Sequence, residues 1–123
     1  MNKVTMSSVA RTKIEMTGAP FVGTQSWRQP ILYPEDSDNF TFNIVAFDAG
    51  TRTKSHTHSC DQILIITEGT GVVANDNESL IVSEGDVIVI PAGDNHWHGA
   101  PDATPMAHIN VMLKGAQNQI TED

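Results

Sequence analysis

The chain has 123 residues, 39% of them hydrophobic, which supports one domain with one core and leaves no room for a second. Fifteen acidic residues against seven basic ones give a formal charge of −8, which argues against nucleic acid and anionic membrane surfaces as partners, because both need clustered Lys or Arg. The single cysteine, Cys60, cannot form an internal disulfide, and neither an apolar leader in residues 1–10 nor a run of 18 apolar residues is present, so the sequence predicts a cytoplasmic protein without a membrane span.

In chain order, residues 1–19 are polar and without periodicity, and they predict an arm or an edge strand that ends at Thr17-Gly-Ala-Pro20. Short strands are expected over Phe21–Trp27 and Ile31–Tyr33, bracketed by Pro30 and Pro34, with a turn over Glu35–Asn39. Phe40–Phe47 reads as a strand and Asp48–Gly50 as a turn. The strands carrying His56-Thr-His58 and Gln62–Thr67 follow, then Gly69-Thr-Gly71, a short strand over Val72–Ala74 and a turn over Asn75–Asn77. Ser79–Val82, Val87–Ile90, His96–His98 and Met106–Met112 complete the set, separated by turns at Gly85-Asp86 and Pro91–Asp94. The divisions are an arm over 1–19, a barrel over 20–113 and a polar, flexible tail over 114–123.

Eight or more short strands separated by turn signals, with no helical periodicity, specify an all-β sandwich or closed barrel. Ile63–Ile66 and Val87–Ile90 are apolar on both faces, whereas a strand facing water on one side should alternate. Their outer faces must be covered, by the arm or by a second copy of the chain, and the sequence predicts a homodimer packed there.

The candidate site lies between residues 50 and 96. On an extended strand His56 and His58 point to the same face, at a separation suited to gripping one ion. A turn at Ser59–Asp61 would bring Gln62 beside them if the two strands pair as a hairpin, and His96 completes the set from the second stretch. His98 shares parity with His96 and rivals Gln62 for the fourth position. Lys54 shares parity with His56 and His58, so it should also point inward, as an anion-stabilising cation or as a rim lysine covering apolar wall.

Gly50, five residues, His56-x-His58, three residues, Gln62, six residues and Gly69, then Gly85, five residues, Pro91-x-Gly93, two residues and His96, together resemble the paired motifs of the cupin superfamily. Two positions depart from that pattern: Gln62 stands for the usual glutamate and Ala100 for the usual asparagine. The resemblance implies a double-stranded β-helix, a jelly-roll barrel whose motif strands line one mouth. A narrower pattern includes Thr67, Gly71, His96-Trp-His-Gly-Ala100 and Met106-x-His108. It is similar to small single-domain cupins related to manganese-dependent bacterial hydroxynitrile lyases, a group also found alongside carboxymuconolactone decarboxylase-like proteins. That resemblance implies a metal set of His56, His58, Gln62 and His96 and places His108 in the pocket, where an inward imidazole would be a proton acceptor or a satisfied core histidine. Ala100 is shared with this group; Lys54 and Asn43 are not what the lyases lead one to expect.

Three imidazoles and an amide oxygen are all neutral, so a bound divalent ion would keep its full charge and act as a strong Lewis acid. Mn, Fe, Ni, Co and Zn are all compatible with such ligands. The sequence therefore points to a Lewis-acid enzyme on a small oxygen-bearing substrate, with His108 taking a proton and Lys54 stabilising an anion. Hydroxynitrile lyase-like carbon–carbon cleavage is the concrete version; a non-catalytic ligand-binding cupin and an oxygen-dependent dioxygenase are the alternatives.

Overall fold

Strands that alternate inward and outward side chains build the molecule. The computed structural model describes all 123 residues and is all-β, with twelve strands and two single 3₁₀ turns. The strands are β1 (Thr12–Lys13), β2 (Phe21–Val22), β3 (Ser26–Pro30), β4 (Phe40–Phe47), β5 (Thr51–Thr53), β6 (His56–His58), β7 (Gln62–Asn75), β8 (Ser79–Ser83), β9 (Val87–Ile90), β10 (His96–Ala100), β11 (Met106–Leu113) and β12 (Asn118–Ile120). Their antiparallel path is β1-β3-β4-β11-β7-β10-β5-β2; β8 and β9 also pair with β7, and β6 sits between β10 and β12.

β7 belongs to both halves of the barrel. Its first residues pair with β9 and β11, and its last with β8 and β10. It turns between the halves at Gly69, where φ is +70° and a Cβ would lie 1.9 Å from the Pro105 carbonyl oxygen, so only glycine fits. The Gly69–Gly71 stretch is therefore a bend within one continuous strand rather than a break between two.

The period-2 pattern divides two apolar layers. Val45 and Phe47 of β4, Leu64 and Ile66 of β7, and Met106 of β11 point into the barrel and form its core. On the outer face Ile44, Ala46, Ala107 and Ile109 pack together, and Val4 and Val9 of the N-terminal arm lie over them. The arm is tied down by β1, which pairs with β3, and by Gln29 Nε2 donating to the Met6 carbonyl. Further along the same outer face, Val87 and Val89 of β9 remain 60% and 62% exposed, so the arm covers only part of this layer.

Three expectations are corrected. The chain from Phe21 to Trp27 is two strands, because it passes from β5 to β4 around Gly23, where a Cβ would lie 2.2 Å from the Gly50 carbonyl oxygen. Ile31–Tyr33 is not a strand; Ile31 is instead a buried plug of the outer layer. The tail over 114–123 is not loose: Asn118–Ile120 pairs with β6, and Glu122 makes a two-pronged ion pair with Arg52 while accepting from the Ser55 N–H.

Candidate metal centre

β6 and β10 run antiparallel with His56 opposite His96, and β6 presents His58 on the same face two residues on. The ligating atoms of His56, His58 and His96 lie within 4.8 Å of one another, and all three residues are buried. Each ring is held from behind by its Nδ1: that of His56 donates to the Lys54 carbonyl at 2.6 Å, that of His96 to the Asp94 carbonyl at 2.8 Å, and that of His58 to Asn118 Oδ1 at 2.5 Å. The tautomer is thereby fixed, leaving the lone pair on each Nε2. Burial lowers the His56 pKa to about 4 and also lowers that of His96, so both rings are neutral near pH 7. The Nε2 of His58 is buried without a hydrogen-bond partner, an unusual cost for a polar atom. These three imidazoles can hold a metal ion: they are convergent and pre-oriented, which is what a metal site demands of them.

Gln62 lies at the start of β7, where the barrel mouth narrows. It reaches the cluster not through a hairpin, since β6 pairs with β10 and β12, but because β7 enters the barrel beneath them. Its Oε1 is 3.0 Å from His96 Nε2, while its Nε2 donates to Asn110 Oδ1 at 2.6 Å, and Asn110 in turn donates to Asn43 Oδ1. His96 has committed its proton to Asp94, so the close approach to Gln62 is between two lone pairs. A cation between them would reconcile that contact.

Behind this group sit the other two histidines. His98 and His108 are 4% and 0% exposed and joined by a 2.9 Å hydrogen bond between His98 Nδ1 and His108 Nε2. The two outer nitrogens of the pair, His98 Nε2 and His108 Nδ1, have no partner. One proton lies between the rings, so in either tautomer one outer nitrogen carries a hydrogen and the other a lone pair. Burial holds the His108 pKa down at about 4 and that of His98 well below its usual value, so the pair is uncharged near neutral pH. His98 thus points inward, toward another imidazole.

All five histidines lie at the barrel mouth, and His56, His58, Gln62, His98 and His108 share one cavity of about 180 Å³. Lys54 does not join them. Two residues outside any strand separate β5 from β6 and reset the alternation, so the inward positions run Thr51, Thr53, His56, His58. Lys54 contributes only backbone, its N–H bonding to Pro20 and its carbonyl to His56. Polar residues of the cavity that were not singled out in the sequence include Asn118, Arg28 and Asn110. Asn118 gave no signal, because a polar tail residue is read as solvated. Arg28 could have been found from strand parity, since it alternates with Trp27, which faces the outer layer.

Known proteins place this geometry in context. The family profile described as Cupin domain matches residues 43–112, which contain every histidine of the cluster. The chain is 38% identical over 69 residues to the (R)-mandelonitrile lyase of Granulicella tundricola, a match covering 55% of this chain and 53% of that protein. It is 29% identical over 58 residues to an uncharacterised protein of Streptomyces coelicolor, covering 47% and 55%. The chain thus spans about half the length of these curated relatives. Among solved structures, a cupin-like protein of Thermotoga maritima is 31% identical over 84% of this chain and 80% of its own, with a TM-score of 0.76. A cupin 2 conserved barrel domain protein of Rhodopseudomonas palustris superposes with a TM-score of 0.80 over 97% of this chain and 83% of its own; at 18% identity it speaks for the fold alone. With its double-stranded β-helix and its histidines on the motif strands, the chain belongs to the cupin domain family.

Proposed function

We propose that this cupin is a metal-dependent enzyme acting on a small oxygen-bearing substrate, with hydroxynitrile lyase-like carbon–carbon cleavage as its concrete reaction. The observation that carries the reading is the convergence of three Nε2 lone pairs, each imidazole locked by its own Nδ1 hydrogen bond, next to a buried neutral histidine pair with a free lone pair. The similarity to a mandelonitrile lyase supports the same chemistry. Gln62 is the fourth ligand in this reading, because its oxygen already approaches His96 Nε2 to 3.0 Å. When bound, a divalent ion would supply Lewis acidity to a hydroxyl or carbonyl oxygen, undiminished by any carboxylate ligand.

The residues of the chain do the rest. The lone pair at the outer end of the His98–His108 pair takes the substrate's hydroxyl proton. The oxygen's electrons then form the carbonyl as the carbon–cyanide bond breaks, its electron pair leaving with cyanide. Cyanide takes the proton back from the imidazole, so aldehyde and hydrogen cyanide leave and the pair is reset. A ring with a native pKa of about 4 is unprotonated at neutral pH but a weak base, so the transfer would rely on the bound ion making the substrate hydroxyl more acidic.

The test is benzaldehyde release from mandelonitrile by manganese, iron, zinc and nickel forms, with His108→Gln beside each. Turnover in at least one form that drops by ~10²-fold or more in His108→Gln is expected for the loss of a positioned base. Metal-loaded protein inert in every form would refute the lyase reading.

The outer layer supports a second copy of the chain. Ile63, opposite Val89, and Val87 form an apolar patch continuous with the arm-covered layer but left open by it. In this reading two such faces pack against each other and complete the cover that the N-terminal arm begins.

A further inference from the structure

The cavity at the barrel mouth is lined by 15 residues, and none of them is Asp or Glu, although the chain carries 15 acidic residues in all. The one formally charged side chain in its wall is Arg28. Of the three arginines in the chain, Arg11 is paired with Glu68 and Arg52 with Glu122, whereas the Arg28 guanidinium makes neither an ion pair nor a hydrogen bond to the protein. Arg28 is exposed at the mouth, and because the lining holds no carboxylate it gives this hollow a positive rim in a molecule of net charge −8.

The strand register shows what this arginine faces. Arg28 of β3 stands opposite Val45 of β4, and Val45 stands opposite His108 of β11, so the three form one cross-strand row on the inner face. At about 4.8 Å between strands, the Cα atoms of Arg28 and His108 are ~10 Å apart, with Val45 as the floor between them. Asn43 and Asn110 form the neighbouring row and offer amides to whatever lies on that floor. A volume of about 180 Å³ sets the size of the occupant. An apolar cavity of about 150 Å³ holds one benzene, so the space suits a molecule on the order of ten non-hydrogen atoms.

We propose that the substrate of this site is a small carboxylate, its carboxylate held by the two-pronged guanidinium of Arg28 and its hydroxyl or carbonyl oxygen lying between the three-histidine cluster and the His98–His108 pair. The inference rests on the metal-dependent reading above and specifies, among small oxygen-bearing substrates, those that carry a carboxylate. A guanidinium matches a carboxylate with two parallel hydrogen bonds, and a wall without acidic groups leaves no internal competitor for it. Lys54, the cation that strand parity would have assigned to this task, is replaced in the cavity by Arg28.

The experiment titrates zinc-loaded protein calorimetrically with acetate, with malonate, succinate and glutarate, and with malonamide as the neutral control. Wild type, Arg28→Met and Arg28→Lys are compared, and zinc content is measured on every sample. The best dicarboxylate should bind wild type about 10-fold or more tighter than acetate, the gain from one charge-assisted hydrogen-bonded end. That advantage should vanish in Arg28→Met, survive in part in Arg28→Lys, and be absent for malonamide throughout. If wild type retains zinc but binds no dicarboxylate better than acetate, or if the advantage persists in Arg28→Met, the carboxylate assignment falls and the metal reading stands. If wild type retains no zinc, the metal reading fails and this inference fails with it.

Discussion

The C-terminal strand should govern how tightly the centre holds a metal, although it supplies no ligand. Asn118 Oδ1 accepts the Nδ1–H of His58 at 2.5 Å, and this bond is all that fixes the tautomer of a ring whose Nε2 otherwise has no partner. Asn118→Ala removes it while leaving β12 in place, because the backbone pairing with β6 and the Arg52–Glu122 ion pair do not involve the side chain. Loss of such an outer partner weakens metal binding by ~10–100-fold, equivalent to about 1.4–2.7 kcal/mol. Zinc competition against a chromophoric chelator at fixed neutral pH reads this directly. Asn118→Asp retains the acceptor and makes the imidazole a stronger donor, so it should bind at least as tightly as wild type. Unchanged affinity in Asn118→Ala would refute the reasoning. Equal losses in the Ala and Asp variants would show that the site responds to the packing of β12 and not to the hydrogen bond.

Other outcomes follow from the same geometry. Gln62→Glu should hold divalent zinc more tightly in the same competition assay, because a carboxylate adds a charge the amide lacks, and Gln62→Ala should hold it ~10-fold or more less tightly. The metal-free protein should lose stability in acid through His108, whose native pKa of about 4 lies below the 6.5 of the free side chain. Above pH 6.5 its contribution is fully present; as pH falls toward 4 the unfolded chain takes a proton that the native one refuses, at a cost of about 3 kcal/mol in all. Urea unfolding across that range should show the loss in wild type and a correspondingly flatter profile in His108→Gln. Gly69→Ala should lower thermal stability by more than ~2 kcal/mol or prevent folding, since the new Cβ has no room beside the Pro105 carbonyl. Val89→Lys, at a position 62% exposed in the single chain, should leave the thermal midpoint of the monomer nearly unchanged but shift sedimentation from dimer to monomer.

Much of the fold is legible because its strands alternate. Phe40–Phe47 and Met106–Met112 are readable from period alone, and the structure extends the second by one residue to Leu113. The both-face apolar runs at Ile63–Ile66 and Val87–Ile90 lie beside an apolar outer layer on which Val4 and Val9 pack, but Val87 and Val89 themselves stay exposed in the single chain. What composition concealed is pairing. Asn118–Ile120 looks like frayed tail because nothing in three polar-to-mixed residues predicts that β6 has an open edge at that point, and the ion pair from Arg52 to Glu122 spans 70 positions.

The site divides along the same line. His56, His58 and His96 are recoverable because strand parity is a local property, and motif spacing carries it across the turn. Lys54 fails by the same rule. Parity holds only while backbone groups stay in the ladder, and at Lys54 and Ser55 they leave it: the Lys54 N–H goes to Pro20, its carbonyl to a ligand ring, and the Ser55 N–H to Glu122. That diversion is itself functional, because the carbonyl released from the sheet is the one that orients His56. A continuous strand would have pointed Lys54 inward and left His56 without its anchor. Interrupting the strand instead turns the lysine out of the cavity, where an ammonium would repel a divalent ion, and leaves Arg28, two strands from His108, as the cation of the wall.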